Sequence, residues 1–443
     1  MPTPERSNRQ TEARAPGRNI GLVEPASAAL ARESLPQYFA RVRARTLALA
    51  ARLSEEDCCV QSMPDASPAK WHLGHTSWFF ETFILERFES GFRPFHEAFR
   101  VMFNSYYNGV GDKHPRAQRG MLTRPPLSAV RDYRSDVEER MQRLLAARGS
   151  DAKLQELVIL GLNHEQQHQE LLLTDIKHLL SLSPLKPAYH DQAVSRAAKT
   201  PALSWQNFEG GLTEIGSEGT SFCFDNELPR HRVFLESFAL APRLVTNGEY
   251  LDFIEQGAYR DPRLWLAEGW DWVNANRLAH PLYWSHDKQG WKEFSLSGMV
   301  DLDPELPAVH LSYFEADAYA RWAGARLPTE AELEVAAAGP TMAAANFADS
   351  GRFHPAAATG DGLTQIYGDA WEWTRSSYAP YPGFRESEGA IGEYNGKFMV
   401  NQYVLRGGSC ATPADHMRAS YRNFFPAAAR WQFSGIRLAR DPR

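Results

Sequence analysis

The sequence predicts a multidomain α+β protein, a helical bundle followed by an irregular, loop-rich α+β domain. Two observations carry this. Residues 33–182 contain long helix-period stretches such as LPQYFARVRARTLALAARL and DAKLQELVILGLNHEQQHQELLLTDIKHLLSL, broken at GFRPF, GVGDKHPRAQRG and RPPLS. Ten of the 12 tryptophans then fall beyond residue 200, among Gly-rich turns (EGG, GSEG, RGGS) and short apolar runs.

Taken in order, residues 1–32 (MPTPERSNRQTEARAPGRN and onward) have no apolar core for a secretory signal and read as a disordered, Arg-sprinkled tail. Residues 33–182 have enough periodic segments for several long helices packed as a bundle. Residues 183–204 begin SPLKPAYHDQAVSRAAKTPA, with three prolines and few apolar residues, and read as a linker. Residues 205–443 form the second domain, whose aromatics are expected to supply the core.

Composition narrows the chemistry. The 48 Lys plus Arg and 54 Asp plus Glu give a net charge of −6, which offers no general attraction to nucleic acid or anionic lipid. No apolar run approaches the roughly 20 residues that span a bilayer. The four cysteines (Cys58, Cys59, Cys223, Cys410) form no C-x-x-C pair, so neither a disulfide framework nor a thiolate metal site is indicated. A soluble, cytoplasmic protein acting on small molecules is expected.

The segment GLNHEQQHQEL carries the chemistry. Its HEQQH fits the zinc-protease pattern H-E-x-x-H. On a 3.6-residue period Leu157, Leu160, His164, His168, Leu171 and Leu172 share one stripe, so both imidazoles point where the leucines point, toward the interior. A single histidine there would be an ordinary hydrogen-bonded core residue. Two at i and i+4 must both find partners where water is scarce, and one divalent metal satisfies both. The protease reading fails on its third ligand: metzincins need Gly and His at the offsets held by Leu171 and Thr174, and no acidic helix follows before the linker. Glu165 lies one residue off the stripe and reads as a surface or outer-layer group, not a general base.

Another histidine lies upstream in KWHLGHTSWFFETFIL. Trp71, His75, Trp78 and Thr82 share a face, Gly74 permits close approach of a neighbouring helix, and His72 is three residues from His75, so spacing leaves either histidine as a ligand. Three neutral imidazoles with no carboxylate or thiolate suit Fe(II) with substrate and oxygen bound together, and equally suit zinc hydrolysis.

The motifs GHTSWFFE, FNSYY, KHPRAQRG and NHEQQHQELLLTDI, followed by FDNELPRHRV, VTNGEY, RLPTEAELE, GDAWEWT, RGGS and YRNFFP, resemble in this order the sulfoxide synthases of ergothioneine biosynthesis (the EgtB family) over residues 35–440. The resemblance implies a DinB-like four-helix bundle joined to a C-type-lectin-like domain related to formylglycine-generating (sulfatase-modifying) enzyme. It also implies non-haem Fe(II), and O2-dependent coupling of a thiol to the imidazole C2 of hercynine (trimethylhistidine), giving a sulfoxide.

Carried over residue by residue, the resemblance makes His75, His164 and His168 the metal ligands and His72 structural. Gln167 would bond the substrate imidazole. Tyr106 and Tyr107 would include the proton donor that steers chemistry toward C–S bond formation. Arg116 and Arg119 would hold the thiol substrate's carboxylate, Asn423 the carboxylate of hercynine, and Phe424 its quaternary ammonium by cation–π attraction. Members that use γ-glutamylcysteine carry an aspartate where this chain has Phe425, a departure that favours free cysteine. GDAWEWT is expected to be structural, with Trp371 and Trp373 in the core. Thr412 and Met417 stand where formylglycine-generating relatives have catalytic cysteines, which argues against a copper oxidase and leaves Cys410 a small buried residue. γ-Glutamylcysteine or a selenium donor remain alternative co-substrates; a zinc-dependent thiol transferase and a non-catalytic ligand-binding module are the readings outside this chemistry.

Overall fold

The computed structural model describes residues 33–194 and 196–442, so the predicted N-terminal tail, residues 1–32, lies outside the described residues. Helix α1 (Leu35–Ala50) starts where the Gln37 side chain turns back to accept the Ser34 N–H at 2.9 Å. Helix α2 (Ala69–Phe80) follows Pro68, is buried along its whole length, and continues through a wider turn at Glu81–Leu85. Helix α3 (Leu127–Arg148) follows Pro126, and α4 (Ala152–Leu182) is capped by Asp151, which accepts the N–H groups of Lys153 and Leu154. Contacts of α1 with α4, α2 with α3 and α2 with α4 close a four-helix bundle around Phe39, Trp78, Phe80, Val137, Val158 and Leu162. Among the described residues no helix is long and apolar enough to cross a membrane.

Gly74 is needed for a different neighbour than expected. A Cβ at that position would lie 2.3 Å from the ring of Phe103, so the glycine admits a loop aromatic, not a helix.

Glu165 is not at the surface. It is fully buried on the side of α4 away from the histidines, bonded by Arg134 Nη2 at 2.5 Å, Arg43 Nη1 at 3.0 Å and Thr46 Oγ1 at 2.6 Å. Burial pushes this carboxyl up, but Arg134 and Arg43 outweigh it and hold it down at about 2. The outward expectation failed because α4 has neighbours on every side. With two buried guanidinium groups depending on it, Glu165→Ala should cost about 3–5 kcal/mol, read as a lowered urea midpoint of the bundle transition.

Residues 183–204, predicted to be a linker, contain no helix or strand among those described, yet they are packed down. Tyr189 donates its hydroxyl to Leu49 O in α1 (2.7 Å) and its N–H to Leu296 O in the second domain (2.8 Å).

Beyond them the strands are short. β1 (Gln206–Phe208), β2 (Gly211–Ile215), β3 (His231–Leu235) and β4 (Phe238–Leu240) are followed by helices α5 (Asn247–Glu255) and α6 (Ala267–Asn276). An antiparallel meander β5 (Trp284–Asp287), β6 (Gly290–Ser295) and β7 (Gly298–Asp301) precedes α7 (Tyr313–Trp322) and α8 (Glu330–Ala337). The main sheet has the order β10-β9-β8-β11, with β8 (Trp371–Ser377), β9 (Gln402–Arg406), β10 (Asn423–Pro426) and β11 (Ser434–Gly435). A last strand, β12 (Ala439–Arg440), pairs with β4. The motif RLPTEAELE is the start of α8: Thr329 Oγ1 accepts the Glu332 N–H and the Glu332 carboxylate accepts the Thr329 N–H, a reciprocal cap. At RGGS, Gly407 has φ +95° and a Cβ there would sit 2.8 Å from Ile366 O, so only glycine fits.

The outer side of α4 docks on this domain through polar contacts. Glu170 accepts Trp371 Nε1 (2.7 Å), Ser409 Oγ (2.6 Å) and Thr412 Oγ1 (2.7 Å), while Gln166 donates to Asp415 at 2.5 Å. Trp373 is wholly buried as expected, and Cys410 likewise. Trp371 does more than fill core: it also lines the cavity between the two halves.

Candidate metal and substrate site

The histidine stripe of α4 faces that boundary and not the leucine core of the bundle, since Leu160 and Leu171, on the same stripe, line cavities. His75 from α2 and His164 and His168 from α4 are buried, and one ligand nitrogen of each lies within 4.8 Å of the other two. His75 Nδ1 donates to Phe103 O at 2.6 Å, which leaves Nε2 as an acceptor 3.3 Å from His164 Nε2. The third imidazole is fixed by a chain of partners. Asp175 Oδ2 accepts His72 Nε2–H (3.1 Å), so His72 Nδ1 accepts His168 Nδ1–H (2.8 Å), and His168 Nε2 keeps its lone pair. His72 is therefore one layer out from the triad.

Burial, reinforced by the neighbouring imidazoles, lowers His75 and His168 well below the ordinary range, and burial lowers His164 to about 3. All three are neutral at physiological pH, the form that ligates metal. The donor set fits a divalent transition metal with open positions. Trp71 stacks on His75 (4.5 Å, 12°) and Phe79 on His164 (4.7 Å, 30°), holding the rings in place.

Two cavities meet at the triad. One, of about 500 Å³, is bordered by His75 and His168, by Arg116 and Arg119, and by Asn423 and Phe424 across it on β10. The other, of about 540 Å³, touches His164 and is walled by Phe79, Tyr107, Ile159 and Leu160. Tyr394 and Asn395, on the loop before β9, border both.

The adjacent tyrosines of FNSYY separate. Tyr106 lines the first cavity, where its hydroxyl accepts from Arg116 Nη1 at 2.6 Å; Tyr107 is buried against Trp78 and Phe83 and borders the second. Neither ring packs on a triad imidazole. The tyrosine that does is Tyr394, edge-on to His164 at 5.7 Å, with its hydroxyl donated to Gln167 Oε1 at 2.8 Å. Burial, with Tyr107 and Tyr421 nearby, raises its phenol well above the ordinary value, so it keeps its proton. Gln167 Nε2 in turn donates to Tyr421 Oη at 2.6 Å. Sequence reading missed Tyr394 and Tyr421, which lie outside any metal-ligand spacing.

On the far wall Asn423 Oδ1 accepts the Phe424 N–H (2.9 Å), leaving its amide nitrogen for a ligand. Phe424 lies flat on Tyr378 (4.0 Å, 10°), and Phe425 packs edge-on to Trp431 (5.7 Å, 82°). Arg119 is 4% exposed, its guanidinium 3.3 Å from the Trp71 ring centroid.

Family models match both halves: the DinB superfamily over residues 38–172, and the sulfatase-modifying factor enzyme 1-like domain over 191–361 and 351–442. The chain is 34% identical to the hercynine oxygenase of Mycobacterium tuberculosis over 436 residues, covering 92% of this chain and 99% of that one. It is 32% identical to the hercynine oxygenase of Mycolicibacterium smegmatis, covering 93% and 100%. Ergothioneine biosynthesis protein 1 of Schizosaccharomyces pombe is 30% identical over 231 residues, half of this chain and 28% of that protein.

Proposed function

Because the chain belongs to the hercynine oxygenase family of sulfoxide synthases (the EgtB family), we propose that it couples hercynine to free cysteine at an Fe(II) held by His75, His164 and His168. The observation that carries this is a triad of neutral, oriented imidazoles at the meeting of two cavities, of which the one bordered by His75 and His168 has guanidinium groups and stacked aromatics in its lining. In the net reaction the imidazole C2–H and the thiol S–H are lost and a C–S bond forms. One oxygen atom of O2 goes to sulfur and the other leaves as water with the two hydrogens. Bound at the triad, iron would supply the one-electron chemistry that lets O2 react with these closed-shell partners.

The chain's own residues orient the substrates. Gln167, clamped between Tyr394 and Tyr421, presents its amide to the hercynine imidazole. The free amide nitrogen of Asn423 takes the hercynine carboxylate. Its quaternary ammonium has no N–H to donate and lies over Phe424, whose other face is backed by Tyr378. Arg119, with Arg116 beside the cavity mouth, takes the thiol substrate's carboxylate. The proton comes from the Tyr394 hydroxyl, in place of the Tyr106 or Tyr107 hydroxyl expected from the sequence, because Tyr394 is the tyrosine packed on the triad. Phe425 offers no counter-charge to a γ-glutamyl amine, which supports the shorter thiol.

The test is anaerobic reconstitution with Fe(II) followed by an oxygen electrode. Oxygen uptake should require hercynine and cysteine together and yield one sulfoxide per O2. Turnover without oxygen, or with zinc in place of iron, would point to a thiol transferase and overturn the reading.

A further inference from the structure

Tyr394 reaches the triad from a segment with no regular structure to hold it. Between β8 and β9, residues 378–401 form only two short turns, Ala390–Tyr394 and Gly396–Phe398, so no strand ladder fixes their position. Side chains tie the segment down instead. Glu393, next to Tyr394, accepts the Gly109 N–H on Oε1 (2.6 Å) and the Asn108 N–H on Oε2 (3.0 Å), both from the bundle's loop immediately after FNSYY. Burial pushes the Glu393 carboxyl up, but these N–H groups and the Lys397 ammonium, 3.3 Å away, outweigh it and hold it below the ordinary value, so it is an anion at neutral pH. Lys397 also donates to Tyr106 O, and Phe398 meets the Tyr106 ring edge-on (4.9 Å, 84°). Asn395, on the other side of Tyr394, donates its amide to Asp225 Oδ1 at 2.6 Å, within the second domain.

Of these contacts the Glu393 pair is the one that both crosses to the bundle and adjoins the phenol. Its two bonds are charge-assisted, the stronger class, and they fix the chain at the residue that precedes Tyr394. The Tyr394 hydroxyl itself is held by one hydrogen bond, to Gln167 Oε1 at 2.8 Å. A misplacement of about 1 Å at a reacting group can cost on the order of 100-fold in the step it serves, so what holds this segment matters to the chemistry. Glu393 lines neither cavity, whereas Tyr394 and Asn395 line both. We propose that Glu393 is a positioning residue: seated on Asn108 and Gly109, it ties the β8–β9 segment to the bundle and so places the Tyr394 hydroxyl beside the triad. The tie rests on the reading above that Tyr394 supplies the proton, and it adds the residue that keeps that phenol in reach.

The test compares Glu393→Ala and Glu393→Gln with wild type in the iron-loaded full-length enzyme, reading sulfoxide and cysteine sulfinate from one reaction by mass spectrometry. Glu393→Ala should lower the sulfoxide-to-sulfinate ratio by about 10-fold, the scale of one charge-assisted hydrogen bond. Glu393→Gln keeps one acceptor oxygen and should fall between. In the double variant Glu393→Ala/Tyr394→Phe the ratio should equal that of Tyr394→Phe alone, since the tie acts through the phenol. A merely structural effect would lower both products alike. An unchanged ratio in Glu393→Ala, where Tyr394→Phe does divert product, would therefore overturn the proposal, as would a further fall in the double variant. A second readout needs no turnover: amide hydrogen exchange of residues 387–401 and of Gly109 should quicken in Glu393→Ala, by about 10-fold on the same scale. Wild-type exchange rates there would overturn the tie whatever the products. Faster exchange, with Tyr394→Phe giving the wild-type product ratio, would leave the tie standing and sink the proton-donor reading.

Discussion

His164→Ala and His168→Ala should each reduce iron content and sulfoxide formation to background while the bundle stays folded. The loss should be complete because, among the described residues, the groups beside the triad are engaged elsewhere: the fourth imidazole, His72, is held by Asp175. The adjacent carboxylate, Glu165, points away into its Arg43–Arg134 cage, and Asp175 is separated from the triad by His72. Folding should survive because each imidazole is neutral and contributes packing rather than a buried ion pair. The cost is that of a vacated side chain beside existing cavities, roughly 1–3 kcal/mol. His72→Asn gives the contrast. It disturbs the orientation of His168 without removing a ligand, and should weaken iron affinity by about 10–100-fold. Iron stoichiometry by elemental analysis and the helical circular-dichroism melt separate these outcomes. Full iron occupancy in either alanine variant would show that the ligands have been misassigned.

What could be read in advance follows from the range over which each interaction acts. His164 and His168 are one helical turn apart, so their shared direction is a property of α4 alone, and the sequence carries it. The cap of α8 at Thr329 and Glu332 is equally local, and so is the positive φ at Gly407, although the Ile366 carbonyl that crowds it comes from another segment. The errors arise where a second element decides the environment. Glu165 looked peripheral because it lies off the histidine stripe; α1 and α3 reach it from the other side with Arg43 and Arg134. The histidine stripe itself was read as facing the bundle core, whereas docking of the second domain turns that face into a cavity wall. Tyr394 and Gln167 meet across 227 positions of sequence, and nothing in the segment GEYNGKF marks its tyrosine as the one that reaches the triad. The adjacent tyrosines of FNSYY carried the resemblance, but a tight turn at Tyr107 (φ −83°, ψ 81°), closed by the Asn108 N–H to Tyr106 O at 3.0 Å, leaves them on different cavities.

That placement makes Tyr394→Phe the sharpest test of reaction control. The substitution removes one hydroxyl from a ring held by packing against His164 and Phe224, so the ring should stay in place and iron binding should be unchanged. Two things are lost. Gln167 Oε1 loses its donor, which frees the amide proposed to hold the imidazole, and the one phenol that packs on a triad imidazole among the described residues can no longer deliver a proton. Loss of a general acid typically costs 10²–10⁴-fold in the step it serves, on the order of 3–5 kcal/mol. An iron held by His75, His164 and His168 would supply the chemistry with O2, whereas the proposed role of this phenol is in the coupling to hercynine. The expected outcome is therefore continued O2 uptake with product diverted from the sulfoxide to cysteine sulfinate. Tyr107→Phe, whose ring packs on Trp78 and Phe83 and on no triad imidazole, should leave the product ratio near wild type. Tyr106→Phe should mainly raise the KM for the thiol, since its hydroxyl accepts from Arg116. Mass spectrometry of sulfoxide and sulfinate from one reaction reads the partition directly. A diversion in Tyr107→Phe but not in Tyr394→Phe would return the acid role to FNSYY and reassign Tyr394 to holding Gln167.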